Sequence, residues 1–393
     1  MANFCAERWG TFVGISNLYE ILNNCDREPI NHPYWLLFLD IPFMKNKLSI
    51  WIIILLIGCS KSNDPRESLN LKFEDFELKK ELIGKKYSYD SILNPRKILL
   101  KGDYIVVSTD GSSNLIHLIL EKDMSYFQSK GVQGDGPGEI NSIIWELDRG
   151  LDKNTFWAYD LNSKVFHEYD LESTNQNSLR AIKQKQDWYL GFSVHMMEPN
   201  RFISNVTRDN FKFGIFDSLG NRQDSFGPWS KGKVVDEKTG YLLLGLNQGQ
   251  IEYNSTNQIL AHSRIIYELL EINNLKTGNT ISIYGPKNYE VAYEVFDSDG
   301  FPSAAVNSTI PNGYSDVFVG DKSVFAVYVG KTDALISSSG ETSRTIFQFS
   351  LEGIPLSHFT TDFPIKSIAV DEEARKIYAV TEDKDPGIAV FDY

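Results

Sequence analysis

Residues 156–170 read FWAYDLNSKVFHEYD, two strand-like runs on either side of a polar turn. Aromatic and β-branched residues favour extended backbone, and the Leu-Asn-Ser-Lys segment at residues 161–164 has the composition of a turn. The stretch therefore predicts an antiparallel β-hairpin.

The same pattern recurs along the chain, which indicates a repeated unit. Further hairpins are predicted at residues 211–217 with 222–226, 265–272 with 279–284, and 345–350 with 355–359. An additional pair of strands precedes several of them, as at residues 317–319 and 324–328. Four antiparallel strands per repeated unit are typical of a propeller blade. With about 40–50 residues per blade, residues 69–393 can form six blades with insertions or a compact seven.

The head of the chain carries an export pattern. Residues 44–59 read MKNKLSIWIIILLIGC, in which Lys45 and Lys47 precede a short apolar run. A basic region, an apolar region and a small residue before the cut are the parts of a signal peptide. A transmembrane helix is the alternative, but it needs about 20 apolar residues and this run has about half of them. A buried core helix is a second alternative.

The end of that run, Leu56, Ile57, Gly58 and Cys59, resembles the lipobox of bacterial lipoproteins. The resemblance implies cleavage between Gly58 and Cys59 and attachment of lipid to the Cys59 thiol. It also implies a cell-envelope location, for which Ser60 favours the outer membrane. Whether the periplasmic or the external face carries the protein stays open.

These patterns divide the chain into four parts. Residues 1–43 stand before the signal, and we hypothesise that they are an upstream extension with translation starting at Met44; a genuine extra segment is the alternative. Residues 44–58 are the signal peptide, and residues 59–68 form a polar tether that would span roughly 15–20 Å as a coil. The all-β domain is expected at residues 69–393.

Charge and cysteine content restrict the function. After removal of residues 1–58 the chain keeps 47 acidic and 35 basic residues, a formal net charge of −12. Binding to nucleic acid needs a basic surface, so no nucleic-acid partner is expected. Cys59 is then the sole cysteine, which excludes a disulfide framework and a thiolate metal site.

Residues 131–139, GVQGDGPGE, resemble the G-x-x-G-x-GPGE segment of TolB-like six-bladed propeller lipoproteins of Bacteroidetes. Residues 321–331, and residues 368–372 with 376–380, are similar to later blades of the same family. The resemblance covers most of residues 70–393 and implies a six-bladed, NHL/TolB-like β-propeller. It implies no specific activity, because that family is largely uncharacterised.

The last repeat also predicts how the ring closes. It contains three strands, at residues 365–370, 376–381 and 387–391, where a blade needs four. An open edge would leave backbone groups unpaired. We therefore expect an N-terminal strand, from residues 71–82, to pair with residues 387–391.

The GPGE loop has two interpretations. Its glycines permit positive φ, Pro137 fixes its own φ, and the Glu139 carboxylate can accept amide hydrogen bonds that the loop leaves free. That interpretation is structural; a backbone nest for an anion is the functional alternative. The residues concerned are Gly134, Asp135, Gly136, Pro137, Gly138 and Glu139.

No local motif predicts a catalytic or metal-binding residue. Residues 297–300 start like a calcium loop, but Pro302 occupies the sixth position, which needs Gly. The five histidines after Cys59 lack metal-ligand spacing, and no serine-hydrolase elbow is present.

We therefore expect a membrane-anchored binding or scaffolding module without a cofactor, whose partner is an envelope protein or a glycan. The alternative is a propeller lactonase, esterase or lyase, with a divalent cation held in the central channel by one ligand from each blade.

Overall fold

The computed structural model describes residues 66–183, 193–206, 211–229, 242–243, 245–298 and 301–393. Most of these residues lie in strands, and each blade is written from its inner to its outer strand. Blade 1 contains β4 (Pro95–Lys101), β5 (Tyr104–Thr109), β6 (Asn114–Leu120) and β7 (Ser125–Val132). Blade 2 contains β8 (Ile144–Asp148), β9 (Thr155–Asp160), β10 (Val165–Asp170) and β11 (Arg180–Lys183). Blade 3 contains β12 (Val194–Glu198), β13 (Arg201–Asn205), β14 (Phe211–Asp217) and β15 (Arg222–Pro228).

Blade 4 contains β16 (Gly249–Asn254), β17 (Ile259–Arg264), β18 (Leu269–Asn274) and β19 (Asn279–Tyr284). A separate hairpin follows, formed by β20 (Tyr293–Ser298) and β21 (Phe301–Val306). Blade 5 starts with β22 (Tyr314–Val319), β23 (Ser323–Tyr328) and β24 (Ser343–Ser350), with α1 (Asp333–Ser339) inserted before β24. The chain ends with β25 (Pro355–Asp371), β26 (Lys376–Thr381) and β27 (Ile388–Asp392).

The long strand β25 belongs to two blades. Its residues 355–360 pair with β24 and complete blade 5, and its residues 365–371 pair with β26 and begin blade 6. One continuous sheet of eight strands therefore contains two blades. Counted in this way, the described strands form six blades.

The six blades close into a ring. The first strand of each blade contacts the first strand of the next, in the order β4, β8, β12, β16, β22 and β25, and β25 contacts β4. These inner strands surround the axis, and the fold is an all-β, six-bladed propeller as the sequence predicts.

The cores lie between neighbouring blades, because each sheet buries both faces. Between blades 2 and 3, Trp157 stacks on Phe166 with ring centroids 4.7 Å apart, and Phe166 meets the Phe202 ring edge-on at 5.7 Å. All three side chains are fully buried. Burying one such aromatic side chain is worth about 1.5–3 kcal/mol, so the aromatic-rich strands account for much of the cohesion of the ring.

The segment before blade 1 runs along the outer edges of three blades. It contains β1 (Arg66–Asn70), a 3-10 helix (Phe73–Asp75), β2 (Leu78–Leu82) and β3 (Lys85–Tyr87). Strand β1 is parallel to β19 of blade 4, and β2 is parallel to residues 357–361 of blade 5. Strand β3 is antiparallel to β27 and supplies the fourth strand of blade 6.

An N-terminal strand therefore closes the ring, but residues 71–82 are not that strand. Two apolar side chains of this segment, Leu71 and Phe76, are buried against blades 4 and 5 instead of lying beside residues 387–391. The closing strand β3 is short and mostly polar, so its sequence carries little strand signal. Its position is set by the strand that it pairs with.

The start of the domain also differs from the expectation. Strand β1 begins at Arg66, so the last three residues of the expected tether, 66–68, pair with blade 4. The extension, the signal peptide and Cys59 lie outside the described residues, as do positions 299–300 of the calcium-like loop. In the part of the chain that the structure describes, no helix has the length and hydropathy needed to cross a bilayer.

Candidate functional site

The inner strands bring charged side chains together around the axis. Five of the six inner strands contribute them: Lys97 from β4, Glu146 and Asp148 from β8, His195 from β12, Glu252 from β16 and Asp316 from β22. Each of them has at least one apolar neighbour in the sequence, for example Asp316, which precedes Val-Phe-Val. Alternation along a strand sends these polar side chains to one side and the apolar ones to the cores between blades.

Lys97 joins two carboxylates inside the channel. Its Nζ donates to Asp316 Oδ1 at 2.7 Å and lies 3.6 Å from Glu146 Oε1. The other oxygen of Asp316 accepts the backbone N–H of Ile368 at 2.9 Å, which ties blade 5 to blade 6. Burial lowers the pKa of Lys97, but the charges of Asp316 and Glu146 outweigh it and raise that pKa. The ammonium is therefore a permanent cation that links blades 1, 2 and 5.

Glu146 is the less satisfied partner of Lys97. Its Oε2 is buried and accepts no hydrogen bond from the described residues. Burial raises the pKa of Glu146, although the charges of Lys97 and His195 act against it.

His195 forms the second group in the channel. Its Nδ1 lies 2.8 Å from Asp148 Oδ2, and its Nε2 lies 2.8 Å from the carbonyl oxygen of Ile251. Both neighbours are acceptors, so both ring nitrogens must donate, and the ring is an imidazolium. Burial opposes the charged form, but the hydrogen bond and charge of Asp148, with Glu252 and Glu146, raise the pKa of His195 to about 9.

Arg149 and Glu252 mark the transition from the channel to its mouth. Nη2 of Arg149 donates to Glu252 Oε1 at 2.9 Å and to the carbonyl oxygen of Val319 at 3.0 Å. The guanidinium also lies over the Phe318 ring, 4.6 Å from its centroid. Burial, with Glu146 and Asp148 nearby, raises the pKa of Glu252 to about 7 in spite of the charges of Arg149 and His195.

The mouth is an open cavity of about 440 Å³ on the face where the first strand of each blade turns into the second. Leu100, Phe318 and Val370 give it an apolar floor, and Arg149 is the charged group at the floor. Two turns form the rim, and they carry Asp321 and Lys322 after β22 and Asp371, Glu372 and Glu373 at the end of β25. Six of the ten residues that line the cavity are charged, so the mouth is a polar cavity with a small apolar base. Its volume lies within the range of small-molecule sites.

The two rim turns hold each other in place. Glu372 Oε2 accepts the backbone N–H of Lys322 at 2.9 Å. A side chain at Gly320 would place its Cβ only 2.4 Å from the Glu372 carboxyl carbon, so glycine is needed for this approach. Asp371 Oδ1 accepts the amides of Glu373 and Ala374 at 2.8 Å each and closes its own turn.

The GPGE loop lies elsewhere, between β7 and β8. Glu139 Oε2 accepts the N–H of Gly136 at 2.8 Å, and a Cβ at Gly134 would lie 2.1 Å from the same oxygen. The Glu139 carboxylate thus occupies the space that an anion would use, which is the structural interpretation of the loop. Pro137, Gly138 and Asp135 complete the loop.

Sequence reasoning placed no residue in the channel or at the mouth. Among the five histidines, His195 lies in the channel, whereas His117 and His167 contact Tyr126 and Ser178 within blades 1 and 2. Across the described ranges, no three His, Cys, Asp or Glu side chains are arranged to hold a metal ion. The usable signal was a charged residue inside an otherwise apolar inner strand, repeated in successive blades.

Comparisons with known proteins agree with this architecture. The family model described as TolB-like 6-blade propeller-like matches residues 72–373. A member of the DUF4221 family from Bacteroides vulgatus superposes with a TM-score of 0.51 at 10% identity, covering 79% of this chain and 96% of that one. A Bacteroides fragilis protein described as exported gives a TM-score of 0.49 at 13% identity, covering 83% and 97%. No curated protein gives a significant match.

Proposed function

Since the chain belongs to the TolB-like six-bladed propeller family, we propose that it is a lipid-anchored binding module of the cell envelope that takes its ligand at the mouth of the channel. The ring is the rigid part, and the turns around the mouth are the part free to vary. Rigid sheets that position exposed turns are a common basis for binding sites.

One observation carries this proposal. The charged side chains of the channel form ion pairs, whereas Asp321, Lys322 and Glu373 on the rim of the mouth form none within the described residues. In the channel, Lys97 and His195 each contact a carboxylate of another blade, so those charges hold blades together. At the mouth, Asp321 and Glu373 are exposed on the rim of an open cavity. Asp321 Oδ1 accepts the neutral side-chain amide of Asn254 at 3.0 Å, and the side chain of Glu373 makes no hydrogen bond with the described residues. Exposed charges around a cavity are available to a ligand.

The same geometry gives less support to the alternative function, a propeller enzyme with a divalent cation in its channel. A divalent cation on the axis needs carboxylates that are free to coordinate it. Asp148, Glu252 and Asp316 each contact a cationic side chain instead, which favours binding over metal-dependent hydrolysis.

The position of strand β1 relates the proposed lipid anchor to the mouth of the channel. Residues 60–65 separate Cys59 from β1, and a chain of this length reaches at most about 25 Å. Strand β1 starts opposite Thr280, near the turn between β18 and β19, and that turn lies on the same face as the mouth. A Cys59 lipid would therefore hold the mouth near a membrane surface.

The binding module is tested by capture. The full chain is used as bait in a cell-envelope extract, and the captured molecules are identified by mass spectrometry. We expect capture that decreases with the D321N/E373Q variant and is unchanged with E352Q, which alters an exposed acid on the turn after β24. Equal capture by all three chains, or lactone hydrolysis that chelation abolishes, would contradict the proposal.

The anchor is tested separately by metabolic labelling with a radioactive fatty acid. The wild-type chain should be labelled. It should also be found in the membrane fraction if Cys59 carries the two or more acyl chains that stable anchoring needs. Cys59→Ser should abolish the label and release the protein; persistent labelling of this variant would contradict the lipobox assignment.

A further inference from the structure

The mouth offers both signs of charge, which narrows the chemistry of its ligand. Its rim carries four carboxylates, on Asp321, Asp371, Glu372 and Glu373, against one ammonium, on Lys322. Asp371 and Glu372 accept backbone amides, and Asp321 Oδ1 accepts the neutral side-chain amide of Asn254 at 3.0 Å. The side chain of Glu373 is exposed and makes no hydrogen bond with any described residue. The rim as a whole therefore attracts a cationic group.

The floor presents the opposite charge. Arg149 uses Nη2 for Glu252 and Val319, while its Nε and Nη1 form no hydrogen bond within the described part of the chain and are not buried. A guanidinium with two accessible N–H directions is a good donor for a carboxylate. The floor therefore has room for one anionic group beside Arg149.

The space between rim and floor is small, and its base is apolar. Leu100, Phe318 and Val370 line it, and the volume of about 440 Å³ suits a ligand of roughly amino-acid to tripeptide size. A purely cationic ligand would leave Arg149 unused, and a purely anionic one would face the carboxylates of the rim. Charge complementarity selects partners in this way, since like charges brought together are costly.

We propose that the mouth binds a small zwitterion of the amino-acid or dipeptide class, with its carboxylate on Arg149, its ammonium at the Asp321 and Glu373 rim, and an apolar side chain on the floor. The inference rests on the proposed function, because it specifies the ligand of the same site. It assigns Arg149 as the residue that recognises the carboxylate and the two rim acids as the residues that recognise the ammonium.

Binding in this way has a measurable proton signature. A carboxylate on Arg149 brings negative charge close to Glu252, whose pKa is about 7 in the free protein. Added negative charge raises the pKa of a carboxyl group, so binding at pH 7 should take up a fraction of one proton. Titration calorimetry in phosphate and in Tris, which differ in ionisation enthalpy, measures that uptake.

The test uses three probes on the full chain in detergent: the dipeptide Gly-Leu, N-acetyl-Gly-Leu, which lacks the ammonium, and Gly-Leu-amide, which lacks the carboxylate. We expect Gly-Leu to bind at least about tenfold more tightly than either blocked form, corresponding to about 1.4 kcal/mol for each lost charge contact. Equal binding of the three probes, or no binding of Gly-Leu at about 10 mM, near the weak limit of specific recognition, would overturn the inference.

Variants locate the two recognition points. D321N/E373Q should weaken Gly-Leu about tenfold and so remove the advantage over the acetylated form, whereas E352Q should change the affinity less than about twofold. R149Q/E252Q removes both members of the ion pair together, so that no buried charge is left alone. It should make Gly-Leu and its amide bind equally and abolish the proton uptake; retained discrimination would contradict the role of Arg149.

The outcomes also separate this inference from the proposed function. If D321N/E373Q loses capture from the envelope extract while Gly-Leu does not bind, the mouth is a binding site and the zwitterion assignment is wrong. If Gly-Leu binds as expected while capture is insensitive to the rim variant, the binding-module proposal fails and the ligand assignment stands.

Discussion

The interior of the channel and its mouth use the same residue types in opposite ways. In the interior, the ammonium of Lys97 is 2.7 Å from the carboxylate of Asp316; the Asp316 side chain is buried and that of Lys97 is 14% exposed. At the mouth, Lys322 and Glu373 are exposed, and neither side chain forms a salt bridge within the described residues. The difference indicates that the interior charges stabilise the ring and that the mouth charges are available for recognition.

The largest expected effect comes from breaking the interior pairing. Lys97→Met leaves Asp316 buried without its cation, and removal of one partner from a buried pair costs about 3–5 kcal/mol. The free energy of unfolding should fall by that amount in a urea titration.

The matched change at the mouth provides the control for this effect. Lys322→Met removes the same type of side chain from an exposed turn, and the free energy of unfolding should change by less than about 0.5 kcal/mol. Similar losses in both variants would contradict the division into a structural interior and a functional mouth.

A second effect of the interior is a dependence of stability on pH. The pKa of His195 rises from 6.5 to about 9 on folding. The folded state therefore binds the proton more tightly, so the stabilisation is complete below pH 6.5 and is lost as pH rises through 9. A shift of this size corresponds to about 3 kcal/mol.

The difference in unfolding free energy between the wild type and His195→Gln, followed from pH 6 to pH 10, measures this contribution. A difference that stays constant over that range would show that the imidazolium is absent from the folded protein.

Glu252 lies between the channel and its mouth, and its effect on stability should change at lower pH than that of His195. Its pKa rises from 4.5 to about 7 on folding, so its favourable contribution is complete below pH 4.5 and is lost as pH rises through 7. The glutamine in Glu252→Gln resembles the protonated carboxyl and can still accept from Arg149. Relative to this variant, the wild type should lose about 3 kcal/mol between pH 4.5 and pH 8.

The variant Glu146→Gln tests whether Glu252 is the group that titrates near pH 7. Glu146 is deeper in the channel and contacts Lys97. Its replacement should therefore leave the proton uptake on Gly-Leu binding unchanged. Loss of the proton uptake in Glu146→Gln instead of Glu252→Gln would place the titrating group in the interior.

The smallest expected effect is that of the rim on stability. Glu373→Gln changes an exposed side chain on a turn, so the melting temperature should shift by less than about 2 °C, as surface substitutions usually do. The same variant should weaken Gly-Leu binding, and this separation of stability from binding is the opposite of the behaviour expected for Lys97→Met. A large loss of stability in Glu373→Gln would contradict the assignment of the rim to recognition.

How far the sequence predicts this molecule depends on the range of the contacts. Hairpins such as β9 with β10 are local, and the aromatic runs on either side of the polar turn at residues 161–164 are enough to predict them. The channel network is not local, because Lys97 and Asp316 are separated by 219 positions and meet only when the ring closes. The closing strand was missed for a related reason. The three residues of β3 carry little strand pattern of their own, and their position is set by pairing with β27.

A crystal structure of the full chain with Gly-Leu tests the central claim most directly. We predict the dipeptide in the cavity at the mouth, with its carboxylate on Arg149 and its ammonium beside Asp321 or Glu373, and the Lys97–Asp316 pair unchanged in the interior. A dipeptide bound on the opposite face of the ring, or one that inserts between Lys97 and Asp316, would contradict the account.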